Sequence, residues 1–215
     1  MLVGSGNRSH PLEKVESNYL YMLRDKNTRT QTFGGDVAAP AVLTPTDLKD
    51  ISDLPFEGLE SGSQAFVNEE VDFSAYDGWM YKLAATEKSL AKPAILFGVA
   101  YFTSFKPSPE NNVDECQLKG GDGLLYAFNL HYGTSVYDVG ITLELGNKVP
   151  PSPTWIVEDE FYCLNCGTQD PTDPDSEDHG KLIELIAVDE NDPTKTTTPG
   201  FRTIQNYIFR QEDNN

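Results

Sequence analysis

Residues Ala94-Ile95-Leu96-Phe97-Gly98-Val99-Ala100-Tyr101-Phe102-Thr103-Ser104-Phe105 are the strongest β segment of the chain. Gly98 divides the run and predicts a tight turn, with one strand from Ala94 to Phe97 and a second from Val99 to Phe105. The second strand does not alternate between apolar and polar positions. A strand of that kind needs cover on both faces, so this hairpin demands a fold in which a sheet is sandwiched between other layers.

The rest of the chain follows the same style. Short aromatic runs are cut by Gly, Pro, Asn and Asp, which reads as all-β. Leu2-Val3 runs into a Gly4-Ser5-Gly6 turn and a polar connection, then into the strand Tyr19 to Asp25, the corner of a sheet. Three segments share a central Tyr flanked by apolar residues at alternate positions: Asn18 to Asp25, Gly78 to Leu83, and Gly123 to Leu130, the last ending in the turn His131-Tyr132-Gly133-Thr134. A fourth, fainter copy spans Gln205 to Arg210. Tyr21, Tyr81, Tyr126 and Tyr207 are thus 60, 45 and 81 residues apart. An interval of about 45 is one blade of a β-propeller, and the longer first interval implies an insertion at 44–76. The expected fold class is therefore all-β, a partial or modified β-propeller of antiparallel blades with at most short helices, over a single region 1–215. Sheet edges left open by such a partial ring call for strands from a protein partner or a homo-oligomer. Thr44-Pro45-Thr46-Asp47-Leu48-Lys49-Asp50-Ile51, with an N-cap candidate, a Pro at the first helical position and acidic residues early, predicts about two helical turns. Phe56 to Ala75 reads as loop with one short strand. Past the connector Pro150-Pro151-Ser152-Pro153 come a strand at Thr154 to Val157, an acidic loop at 158–181, an apolar strand from Leu182 to Val188, and a frayed tail at 211–215.

Charge narrows the function. The formal net charge is −18, with no basic stripe to meet phosphates, which argues against nucleic acid and against an anionic membrane surface. Twelve acidic residues and one Lys lie between Glu158 and Asp192. Such a run is ordinarily a solvated loop. Within it Asp173, Asp175 and Glu177, with Glu184 at the twelfth position, imitate a calcium loop, although Asp178 stands where the turn glycine belongs. They are the candidates for weak calcium binding. Cys163 and Cys166 have the spacing of a redox or zinc pair, but no βαβ context and no second close pair accompany them. A disulfide between these two or free thiols is the simpler reading, with Cys116 leaving the count odd. No Gly-x-Ser-x-Gly elbow and no dinucleotide-binding glycine pattern occurs, His10, His131 and His179 lie far apart, and no catalytic residue is assigned. His10, before Pro11, reads as a hydrogen-bonding residue at a strand corner, and the repeated tyrosines as core. No stretch approaches the about 18 apolar residues of a membrane helix, and the first residues lack the features of a signal peptide.

Several blocks, in order, carry a family likeness. Gly4-Ser5-Gly6-x-Arg8-x-His10-Pro11-Leu12 with Tyr19 to Asp25 is one. Gly78-Trp79-Met80-Tyr81-Lys82-Leu83, then Lys92-Pro93-Ala94, the strand to Phe102-Thr103-Ser104-Phe105, Pro107, Cys116, Gly120-Gly121 and Leu124-Leu125-Tyr126-Ala127-Phe128 form another. Together they resemble the C-terminal region of the PilY/PilC proteins, the type IV pilus biogenesis factors and tip adhesins. The acidic loop with Cys163 and Cys166 departs from that pattern. The resemblance implies a modified β-propeller without enzymatic activity, at the pilus tip on the cell surface or facing the periplasm. It further implies roles in pilus assembly, twitching motility and surface adhesion, with minor pilins and a host or abiotic surface as partners. In that family the calcium loop precedes the Gly-Ser-Gly segment, so no metal ligand and no cofactor is carried onto this chain. The export signal is expected outside it too. The alternatives are a quinoprotein-type propeller enzyme, which Leu125-Tyr126-Ala127-Phe128 and Gly133-Thr134 faintly resemble, and an intracellular propeller scaffold.

Overall fold

The computed structural model describes residues 1–14, 17–25, 39, 41–108, 120–137, 140–157, 161–164, 183–184, 187–189 and 192–197, with 154–157, 161–164 and 183–184 described by backbone alone. Thirteen strands, one 3-10 turn and one α-helix are present among these residues. Nearly all strand pairs are antiparallel, so the protein is mostly β with little helix, in agreement with the sequence.

The first sheet has the order β1 (Leu2–Gly4), β2 (Tyr19–Leu23), β4 (Gly78–Lys82), β3 (Lys49–Asp50). The second has the order β5 (Ala94–Leu96), β6 (Val99–Pro107), β7 (Gly121–Asn129), β8 (Thr142–Gly146). Three further strands, β9 (Thr154–Val157), β10 (Phe161–Leu164) and β11 (Ile183–Glu184), form a small sheet, and β12 (Ala187–Val188) pairs with β13 (Thr196–Thr197).

The predicted hairpin turns where expected. Phe97 and Gly98 have φ of 49° and 77°, the paired left-handed geometry that matches the twist of a two-residue hairpin. Phe97 adopts it without glycine's freedom, and its carbonyl accepts the Val188 N–H at 2.8 Å, tying the turn to β12. The turn at His131 to Thr134 is also present, closed by Gly133 N–H to the Asn129 carbonyl at 2.8 Å.

The second sheet is covered on both sides, as its composition demands. Ala100, Phe102, Tyr126 and Phe128 face the first sheet, where they meet Leu20, Met22 and Trp79. Val99, Tyr101, Leu125 and Ala127 face the other way and pack with Val136 and Val188. Alternate residues of one strand thus enter two separate cores. Trp79 and Phe102 are fully buried, and the Trp79 ring lies 5.3 Å from that of Phe128 and 6.2 Å from that of Phe102.

Four local expectations change. The first two Tyr segments are not equivalents in successive blades: β2 and β4 are neighbours in one sheet, with Leu20 opposite Tyr81 and Tyr21 opposite Met80. The 44–51 helix is one 3-10 turn, η1 (Pro45–Asp47), because Lys49–Asp50 is drawn into parallel pairing beside β4. The predicted loop from 56 to 75 contains α1 (Gln64–Ser74). Its inward apolar residues are Phe66 and Phe73 alone, while Val67 and Val71 are exposed, so no continuous stripe marks it in the sequence. The apolar run from Leu182 to Val188 is divided between β11 and β12, which belong to different sheets. The segment 44–76 contributes a strand to the first sheet and three phenylalanines, Phe56, Phe66 and Phe73, to the core against it. No closed ring of blades is formed by the described strands.

Candidate functional site

The sequence candidates for metal or redox chemistry are not brought into view. Asp173, Asp175, Glu177, Cys116 and Cys166 lie outside the described residues, and Cys163 and Glu184 are described only as backbone in β10 and β11. Among the described residues no group of three or more His, Cys, Asp or Glu side chains could hold a metal ion. No helix among them is long and apolar enough to cross a membrane.

Two places combine chemistry with geometry. The first is a buried polar seam between the sheets, built on Glu87 and Lys88. Sequence reasoning missed it, because a Glu-Lys pair in a polar stretch reads as surface. The backbone of Lys88 exchanges two hydrogen bonds with Phe105 of β6, at 2.9 and 2.8 Å, and the Ser89 N–H donates to the Ser5 carbonyl at 2.9 Å. This short segment therefore bonds to β6 on one side and to the corner after β1 on the other.

The corner explains the Gly-Ser-Gly motif. A Cβ on Gly4 would lie 2.2 Å from the Ser89 Oγ and 2.5 Å from its Cβ, so only glycine admits the close approach. Ser5 Oγ accepts the Tyr19 N–H at 2.7 Å, which starts β2. His10 acts through its backbone: its carbonyl accepts a bond from Lys88 Nζ at 3.1 Å, and its side chain is exposed. Lys88 Nζ also donates to the Glu13 carbonyl, so one buried ammonium pins the connection between β1 and β2 at two points.

Glu87 is 1% exposed. Its Oε1 accepts from the Tyr126 hydroxyl at 2.9 Å and from the Ser104 hydroxyl, and its Oε2 accepts from the Ala84 N–H at 3.2 Å. Asn18 Nδ2 donates to the Glu87 carbonyl at 2.9 Å. Burial first, and then the Glu87 carboxylate, drives the Tyr126 phenol far above its ordinary range. The same two causes raise Tyr81. Tyr126 stays a neutral donor, and the Glu87 contacts with Asn18, Ser104 and Tyr126 join separate elements to one another. The seam fastens the two sheets together.

The second place is the outward face of the first sheet. Residues alternate along each strand, so Leu20, Met22 and Trp79 face the core while Val3, Tyr21 and Met80 form a row across the opposite face. That row continues to Asp50 on β3. A groove of about 270 Å³ lies against it, lined by Val3, Tyr21, Leu23, Leu43, Pro45 and Leu48. Val3 and Leu43 are 38% and 42% exposed. Asp47, in η1 beside the groove, has its carboxyl held below the usual range by the backbone N–H and then the hydroxyl of Thr44. On the far side Lys49 Nζ reaches Glu69 at 2.7 Å and Asp72 at 2.5 Å, which fixes α1 against β3. Burial opposes that ammonium, yet the two carboxylates hold its pKa above the ordinary value.

Comparison with protein-family models, with curated proteins and with solved structures finds no match to this chain.

Proposed function

We propose that this chain is a non-enzymatic assembly module of the type IV pilus, similar to the C-terminal region of the PilY/PilC proteins, and that it supports pilus assembly, twitching motility and surface adhesion. The observation that carries the reading is the placement of the ordered blocks. The Gly-Ser-Gly corner follows β1, Tyr19 to Leu23 is β2, Gly78 to Lys82 is β4, and the block from Ala94 to Phe128 spans β5 to β7. They occupy adjoining strands of two sheets that share one core. The second sheet packs apolar side chains on both faces, which is what the reading expects of a propeller blade between its neighbours. Minor pilins are the proposed partners, at the cell surface.

The test is deletion of the gene with complementation. Loss of surface pili or of twitching, restored by the intact chain, is the expected result. Normal piliation together with normal twitching sinks the proposal. A visible absorbance band from a tightly bound quinone in the purified protein would favour the quinoprotein alternative instead.

A further inference from the structure

We propose that Tyr126 and Glu87 form a one-electron redox site, in which the phenol gives up an electron while its proton crosses to the carboxylate, and that the Tyr81 ring connects this site to the surface. The proposal goes beyond the assembly reading and does not rest on it.

The proton decides where a missing electron settles among aromatic side chains. An oxidised phenol is a strong acid, so its electron leaves readily only where a base stands ready for the proton. Tyr126 is 4% exposed, and its hydroxyl donates to Glu87 Oε1 at 2.9 Å. The Ser104 hydroxyl and the Ala84 N–H hold that carboxylate in place. Trp79, fully buried in the same core, has no such base on its ring nitrogen: Nε1 donates to the Leu130 carbonyl at 3.1 Å.

The rings form a path. Trp79 lies 5.3 Å from Phe128, Phe128 stacks on Tyr126 at 5.9 Å and 15°, and Tyr81 is 5.6 Å from Tyr126. All three separations are within the contact range of aromatic pairs. Of these four rings Tyr81 alone is partly exposed, while the other three are buried.

An external one-electron oxidant takes an electron from Tyr81, whose proton goes to water. One electron from Tyr126 and one proton from water then restore Tyr81, and the Tyr126 proton moves to Glu87. The net change is one electron lost to the oxidant, a neutral Tyr126 radical and a protonated Glu87. A thiol or ascorbate in solution returns the electron, and Glu87 returns the proton. Burial shields the radical from direct encounter with such reductants, which gives it a long life.

A second phenol sits on a carboxylate and serves as the comparison. Tyr132 donates to Glu70 at 2.9 Å, but both residues are partly exposed. Its ring neighbours among the described residues are Phe56, Phe66 and His131, so no Tyr or Trp relays an electron to it there.

The experiment oxidises the full chain with flash-generated ruthenium(III) tris-bipyridyl, using a cobalt(III) ammine as the quencher. The radical is followed by transient absorption and electron paramagnetic resonance, and circular dichroism checks the fold of each variant. A long-lived neutral tyrosyl signal is expected, formed more slowly in heavy water. Tyr126→Phe should abolish it, and Tyr132→Phe and Tyr19→Phe should leave it unchanged. Glu87→Gln keeps an oxygen facing the phenol but removes the base, and should slow formation at least about tenfold. Tyr81→Phe, which leaves the Tyr126 to Glu87 bond in place, should also slow it, and the heavy-water effect on the intact chain tests the proton step even if Glu87→Gln does not fold. Absence of a long-lived signal in the intact chain overturns the proposal. So does a signal that persists in Tyr126→Phe, that disappears in Tyr132→Phe instead, that forms as fast in folded Glu87→Gln or Tyr81→Phe, or that is indifferent to heavy water.

Discussion

Individual residues of the seam decide how closely the two sheets approach. Gly4→Ala places a methyl group inside contact distance of Ser89, whose hydroxyl is itself held by the Thr103 carbonyl at 3.0 Å. The expected loss of stability is about 1–3 kcal/mol, the usual cost of overpacking, seen as a lower urea midpoint with an unchanged m-value. Tyr126→Phe removes one of the donors to a buried carboxylate and should cost about 1–3 kcal/mol at neutral pH. The tyrosines also set the alkaline limit. The Tyr126 phenol is pushed far up by burial and Glu87, and Tyr132, by burial and its bond to Glu70, is pushed up to about 12. Both folded-state values exceed the unfolded value of about 10, so the folded state keeps protons that the unfolded chain releases. Their stabilisation is whole below about pH 10 and is lost as pH rises past it, through about 12 for Tyr132. Denaturant midpoints measured from pH 9 to 12 should fall, and the fall should flatten in Tyr126→Phe.

Elements differ in how strongly they are written locally. The hairpin of β5 and β6 carries its own turn geometry and apolar strands, and reads directly from the chain. Helix α1 depends on its start signal and on tertiary anchors. Ser63 Oγ accepts the Phe66 N–H at 3.2 Å, and Phe66 and Phe73 pack around Phe56 with ring centroids 5.2 and 5.3 Å away. A stripe of two residues seven apart is too sparse for periodicity to register, and the Ser63 cap is the local signal that the reading of 56–75 as loop passed over. Ser63→Ala should lower stability by about 0.5–2 kcal/mol, and amide exchange should quicken in the first turn of α1 before it does in β7. Uniform acceleration across both elements would show that the helix has no separate opening.

At the scale of the whole molecule, one core joins α1 and the two larger sheets. Phe102 lies between them, fully buried and facing Trp79 and Phe128. Phe102→Ala should therefore cost about 3–5 kcal/mol and weaken exchange protection in β4 and β7 together. Loss of protection in the second sheet alone would mean that the sheets unfold independently. The repeated Tyr pattern illustrates what periodicity misses at this scale. Tyr21 and Tyr81 occur in similar strands because those strands flank each other in one sheet, on opposite faces, and not because one blade copies another. Spacing along the chain cannot separate the two cases, since strand order is set by crossovers.

What the sequence by itself determined is the β class, the hairpin at Gly98, the corner at Gly4-Ser5-Gly6 and the need to cover the second sheet on two sides. Each follows from local sterics or from the period of side chains along a strand, which need no distant partner. Tertiary structure alone decided the pairing of β2 with β4, the helix at 64–74, the burial of Glu87 and Lys88, and the apolar face left outward on the first sheet. Those depend on which residues, 14 to 78 positions apart, come into hydrogen-bonding range once loops close. A glutamate is buried because Ser104, Tyr126 and the Ala84 amide surround it, and no property of residue 87 read along the chain announces that company.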